Sequence, residues 1–179
     1  MTNFDIHNQA KRISEEVITS CVPNVDINRG MITELVEISK NTSRGRTRLC
    51  AHRNVNESVH EMFIVHPKGA YIPPHKHLEK SESILVLDGE VEYFTFSDDG
   101  VVNQRISMGD YRSGKSFFFR LQKPIFHSML ILSETLTFLE ITKGPFKSDD
   151  TIEAAWAPNK DCGTEVGLFL RKLNELCEG

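Results

Sequence analysis

The sequence predicts a mainly β domain, a barrel or sandwich of short strands with helical segments at both ends. Three observations carry this reading. From Thr47 to about Lys143, β-branched and aromatic residues come in short runs separated by Gly, Asp, Ser and Pro clusters. Asp88-Gly89 and Asp98-Asp99-Gly100 bracket the run Val91 to Phe96, as expected of a strand with a tight reversal at each end. Outside that span the apolar spacing lengthens to every three or four residues, which is the helical period.

Taken in order, Ile6, Ala10, Ile13 and Val17 share one helical face, and Pro23 cannot continue such a helix. A second helix is expected from Asn28, a suitable N-cap, through Ile32, Leu35, Val36 and Ser39, stopping before the polar stretch Asn41 to Ser43. Strands follow near 47–52, 59–66, 71–77, 82–87, 91–96, 116–121, 127–132 and 135–142. Between Lys143 and Lys160, Gly144, Pro145, Pro158 and several acidic residues predict an extended arm rather than a strand. In a last helix, Val166, Phe169, Leu170, Leu173 and Leu176 form a stripe suited to docking on the barrel or on a second subunit. The expected organisation is one structural domain: a helical segment over 1–45, a barrel over 46–145, and the arm and last helix over 146–179.

At 179 residues the chain is long enough to bury one hydrophobic core, and its 39% hydrophobic and 26% charged residues place it among ordinary globular proteins. A net charge of −4 argues against a general nucleic-acid binder, which carries a basic surplus. Asp5, Glu15 and Glu16 interrupt the first twenty residues, so these lack the apolar core of a signal peptide, and a cytoplasmic location is expected. Cys21, Cys50, Cys162 and Cys177 form no C-x-x-C pair and read as free thiols in a reducing compartment. The expected partners are a small-molecule substrate and a second copy of the chain, with neither nucleic acid nor membrane. Leu85 and Leu87 alternate with the inward face of their strand and need cover outside, which favours a homodimer.

The chemistry concentrates between Gly69 and Gly89, glycines placed where turns need them. His75 and His77, two apart on a strand, point to one face and can reach one metal ion. Pro73 and Pro74 stiffen their approach. Glu82 opens the next strand with a carboxylate, followed in phase by Ile84 and Val86 as apolar wall. His127, opening the apolar run Ser128 to Leu132, is the candidate fourth ligand. Three imidazoles and one carboxylate suit one divalent transition metal, whether iron, manganese, nickel, cobalt, copper or zinc.

The stretch GAYIPPHKHLEKSESILVLDG (69–89) resembles the first motif of the cupins at its defining positions. The histidine of the second cupin motif is matched by His127, with Pro124 where a glycine is usual and Ile131 where an asparagine is usual. The resemblance implies a double-stranded β-helix, or jelly-roll barrel, here with two N-terminal helices and a C-terminal helix. SRGRTRLCAH (43–52), EYFTFSDDG (92–100), LEITKGPF (139–146) and AAWAPN (154–159) narrow the likeness to the WbuC-type cupin metalloproteins. That likeness implies an enzyme of surface-polysaccharide metabolism acting on a sugar-related substrate.

Several further residues carry two readings. Arg44, Arg46 and Arg48 share a strand face and fit either an anion grip, with Arg46 and Arg48 the substrate-binding candidates, or a solvated edge with Arg–Glu pairs. His52 is a candidate general base or a structural histidine. Tyr71, in phase with His75, is a candidate proton donor or a filler of the barrel mouth. Glu140 is a candidate acid or base and Lys143 a candidate substrate contact, with a rim salt bridge as the alternative. Trp156 anchors the arm or stacks on a ligand. Three functions are open: Lewis-acid catalysis on a sugar-like substrate, an iron-dependent dioxygenase, and a non-catalytic binding module.

Overall fold

The computed structural model describes residues 4–178, and its β-rich middle forms two sheets laid face to face. In chain order the elements are β1 (Ala10–Arg12), β2 (Val17–Ser20), α1 (Arg29–Lys40), β3 (Thr47–Cys50), β4 (Val59–Pro67), β5 (His75–His77) and β6 (Glu82–Asp88). After them come β7 (Glu90–Phe96), β8 (Val102–Gly109), β9 (Phe118–Leu121), β10 (Phe126–Ile131), β11 (Thr135–Lys143), β12 (Thr151–Glu153) and α2 (Gly163–Glu178). One sheet has the order β1-β2-β3-β4-β11-β6-β9 and the other β12-β5-β10-β7-β8. Pairing is antiparallel except between β2 and β3.

Strand alternation sorts the side chains into layers. Met62, Ile64, Ile84, Val86, Val91, Tyr93, Met129 and Phe138 fill the space between the sheets. On the outer face of the larger sheet, Ile18, Leu49 and Val65 pack under Met31 and Leu35 of α1, joined by Phe4 and Ile6. On the outer face of the smaller sheet, Phe94, Phe96, Phe126 and Leu130 are covered by Leu173, Phe169 and Leu170 of α2. β7 is therefore buried on both faces from Val91 to Phe96, Glu92 being held by Arg105 and Ser107. The β6–β7 reversal holds Gly89 at φ +94°, a left-handed conformation that favours glycine.

α1 begins where expected, with the Asn28 side chain accepting from the Met31 amide at 3.2 Å. The predicted helix over Ile6 to Val17 does not form. That segment is a turn followed by the β1–β2 hairpin, and β2 extends the large sheet by parallel pairing of Val17 to Thr19 with Arg48 to Cys50. Sheet extension outweighs the helical spacing because Val17-Ile18-Thr19 are β-branched and bury alternately against the two cores, while Ile13 stands in solvent. The arm also corrects its expectation, since Thr151–Glu153 pairs with β5. β8, unassigned in the sequence, is the partner that the Asp98-Asp99-Gly100 reversal leads to. All four cysteines are free. No helix among the described residues is long and apolar enough to cross a membrane.

Candidate metal centre

Inward alternation on β6 carries Glu82, Ile84 and Val86 to the barrel interior, and the same rule on β5 carries His75 and His77. His127 on β10 is paired with His75 on one side and with Thr95 of β7 on the other. The four side chains meet: one ligand atom from each of His75, His77, Glu82 and His127 lies within 4.8 Å of all the others. His77 Nε2 is 3.0 Å from Glu82 Oε2, and His127 Nε2 is 3.6 Å from Glu82 Oε1. The ring centroids of His75 and His127 are 4.3 Å apart.

The outer nitrogens show which way the rings face. His75 Nδ1 donates to the Pro73 carbonyl at 2.8 Å and His127 Nδ1 to the Ile125 carbonyl at 3.0 Å. Because a carbonyl only accepts, these contacts place the proton on Nδ1 and leave the Nε2 lone pair free. His77 Nδ1 meets the Thr151 hydroxyl at 3.0 Å, supplied by β12. His127 Nε2 is buried with no hydrogen-bond partner. An orphaned imidazole nitrogen beside a carboxylate and two further imidazoles is what a bound divalent cation would satisfy, so the donor set fits the metal.

Burial lowers the pKa of His75 to about 4 and that of His127 below the usual imidazole range, so both rings are neutral at pH 7, the state that ligates. Burial alone would raise the Glu82 carboxyl, yet the His77 hydrogen bond and the neighbouring imidazoles hold it low and ionised. The Tyr93 hydroxyl donates to Glu82 Oε1 at 3.4 Å, and its ring stacks on His127. Neither Tyr93 nor Thr151 stood out in the sequence. The inward phase of Val91, Tyr93 and Thr95 was the one available signal for the tyrosine, whereas nothing local marked the threonine.

Glu140 lies inward on β11, opposite Ile84 and Met62, one step from the Thr142–Glu82 pair. Burial, reinforced by the negative charge of Glu82, pushes its carboxyl up to about 8. Arg48 also faces inward, opposite Ile64. Arg44 and Arg46 both pair with Glu16, with Nε–carboxylate distances of 2.5 and 3.0 Å. His52 is buried, accepts from the Glu61 amide at 3.1 Å and stacks on His60 at 4.2 Å. The Tyr71 hydroxyl donates to the Pro158 carbonyl at 3.0 Å, tying the arm to the barrel, and burial pushes its pKa up to about 12. Lys143 is exposed at the end of β11. Trp156 packs on Phe96 and Phe126 and donates to the Asp98 carbonyl at 3.1 Å. A groove of about 890 Å³ lies away from the cluster, on the outer face of the large sheet between α1, Phe63, Leu87, Leu139 and Tyr111.

Two apposed sheets carrying a His-x-His pair, a carboxylate on the next strand and a histidine from a later strand define a cupin fold with a cupin-like metal-binding site. Protein SO0799 from Shewanella oneidensis is similar in fold, with TM-score 0.51 and 14% identity over 72% of this chain and 85% of that chain. The oxalate decarboxylase of Bacillus subtilis, described for its Mn(II) centres, aligns with TM-score 0.44 and 17% identity over 54% of this chain and 24% of its own. Procruciferin, the 11S globulin of Brassica napus, aligns with TM-score 0.42 and 12% identity over 49% and 21% of the two chains. The alignment thus spans about a quarter of the oxalate decarboxylase chain, and these likenesses concern the fold alone. Residues 27–108 match a family described as a domain of unknown function, DUF6016. The search of curated proteins found no match.

Proposed function

We propose that this cupin is a metal-dependent enzyme in which His75, His77 and His127, through Nε2, and Glu82, through its carboxylate, hold one divalent transition metal. The observation that carries the reading is the orphaned Nε2 of His127 inside a cluster whose three imidazole Nδ1 atoms are all engaged outward. When bound, the metal supplies Lewis-acid polarisation of a carbonyl or hydroxyl oxygen. The chain's own residues do the rest. Tyr93 and Thr151 orient Glu82 and His77, and Glu140, whose carboxyl burial pushes up, is the group placed to lend a proton to a substrate oxygen. A sugar or nucleotide-sugar substrate in surface-polysaccharide metabolism is supported by the WbuC-type likeness of segments 43–52, 92–100, 139–146 and 154–159.

The test is metal analysis of protein purified without chelator or affinity metal, beside the His75→Ala/His77→Ala double variant. Near-stoichiometric metal in the wild type and its loss in the variant are expected. A metal-free wild type that still turns over a substrate would overturn the reading. Oxygen consumption strictly dependent on iron would overturn its Lewis-acid part.

A further inference from the structure

Three arginines enter the barrel wall together, and the structure separates their roles. Arg44 and Arg46 share the single carboxylate of Glu16. Arg48 is different: its Nε is buried with no hydrogen-bond partner, and the strand turns its side chain to the interior while Leu49 turns outward under α1. A guanidinium Nε buried without a partner between two sheets is costly, and the cost falls when an anion arrives.

Across the large sheet, Arg48 shares a row with Ile64, Phe138 and Val86. The next row holds Cys50, Met62, Glu140 and Ile84, and the row after it His60, Thr142 and the ligand Glu82. Val86 to Glu82 is four strand residues, or roughly 13 Å between backbone rows. The Arg48 charge is felt on both sides, by Cys50, His52 and Glu140 towards the metal end and by His66 away from it, and an arginine side chain is long enough to cover part of the distance to the metal end. Among the described residues no carboxylate lies within ion-pair distance of Arg48, whereas Arg44 and Arg46 both reach Glu16. Both Arg48 and Glu140 keep partial exposure, so solvent reaches this part of the interior.

We infer that Arg48 is the anion-binding end of a substrate site inside the barrel, and that the ligand is a small molecule bearing a carboxylate or phosphate a few bonds from the oxygen directed at the His75, His77, Glu82 and His127 cluster. The inference deepens the metal-enzyme reading and rests on it for the metal end alone. Arg48 grips the oxyanion with charge-assisted hydrogen bonds. Glu140, in the row between the two ends, faces the ligand's central oxygens.

The experiment titrates inorganic phosphate, succinate and glucose, separately, into the metal-loaded and the metal-free full chain, read by calorimetry and by the thermal midpoint. Variants are Arg48→Gln, Arg48→Lys and, as control, Arg44→Gln. At least one of the two anions should bind and raise the midpoint of the wild type and of Arg44→Gln, with glucose inert. Arg48→Gln should bind that anion about 10- to 100-fold more weakly and lose the midpoint shift, and Arg48→Lys should recover part of it. Response to succinate alone identifies a carboxylate ligand, and response to phosphate alone a phosphorylated one. Equal anion response in wild type and Arg48→Gln, or no anion response in either, overturns the inference. An Arg48-dependent response in a chain that never takes up metal retains the anion site and removes the metal-enzyme reading.

Discussion

Thr151→Val isolates one hydrogen bond of the metal cluster without touching a ligand. His75 and His127 fix their rings through backbone carbonyls, which no substitution removes, but His77 leans on a side chain, the Thr151 hydroxyl, at 3.0 Å. Valine keeps the β-branched shape that β12 needs for pairing with β5 and deletes only the hydroxyl. His77 is buried, so its Nδ1 loses its partner and the ring is free to turn its protonated edge inward. Outer-shell partners of this kind are worth about 10- to 100-fold in metal affinity, roughly 1.4–2.7 kcal/mol. Competition of Zn²⁺ or Mn²⁺ against a chromophoric chelator reads that difference directly, with Thr151→Ser expected near wild type because the hydroxyl returns. An affinity for Thr151→Val within twofold of wild type, in a variant whose thermal unfolding is unchanged, would refute the assignment of His77 Nε2 as a ligand atom.

Two further outcomes concern stability. Burial, helped by the positive charge of Arg46, lowers the His66 pKa to about 4, so below about 6.5 the unfolded chain takes up a proton there that the folded chain refuses. The neutral ring's contribution is therefore present above that value and lost as the pH falls towards 4. Between pH 7 and pH 5 the wild type should lose roughly 2 kcal/mol more than His66→Gln in urea unfolding, and equal losses would remove His66 as the cause. Leu35→Ala, at a fully buried contact of α1 with the large sheet, should cost about 2–5 kcal/mol while metal content stays unchanged, since that core lies on the opposite side of the sheet from the cluster. Loss of metal in Leu35→Ala would show that the two layers are coupled.

The central strands were legible because they are short runs rich in β-branched and aromatic residues set between turn residues, whether one face is buried or both. The exceptions have local causes. In β8, Asn103, Gln104 and Arg105 are exposed on an edge strand and break the apolar signal between Val102 and Ile106. The segment from Ile6 to Val17 carries a helical spacing whose members end in different places: Ile6 under α1, Ile13 in solvent and Val17 against the barrel core. What decides its structure is the pairing of β2 with β3, some thirty residues further along the chain, and no local window contains that information. The fate of Arg46 was hidden in the same way, since its partner Glu16 sits on the turn that leads into β2.

His127 shows why the four ligands were nonetheless within reach of the sequence. Pro124 stands where a turn glycine is usual, and a ligand whose position depended on that turn would be displaced by the change. Its position depends instead on the ladder: His127 is paired with His75 on one side and with Thr95 on the other, and Ser128 to Ile131 continue in register along β7. A strand clamped by neighbours on both edges fixes which residue faces inward, because a slip of one would turn Phe126, Ser128 and Leu130 into the barrel and carry Met129 and Ile131 out of it. The turn retains a smaller role, that of presenting the Ile125 carbonyl to His127 Nδ1. Ligand identity thus follows from strand period and register, which the sequence encodes locally, while ring orientation follows from backbone carbonyls and from Thr151, which belong to the folded chain.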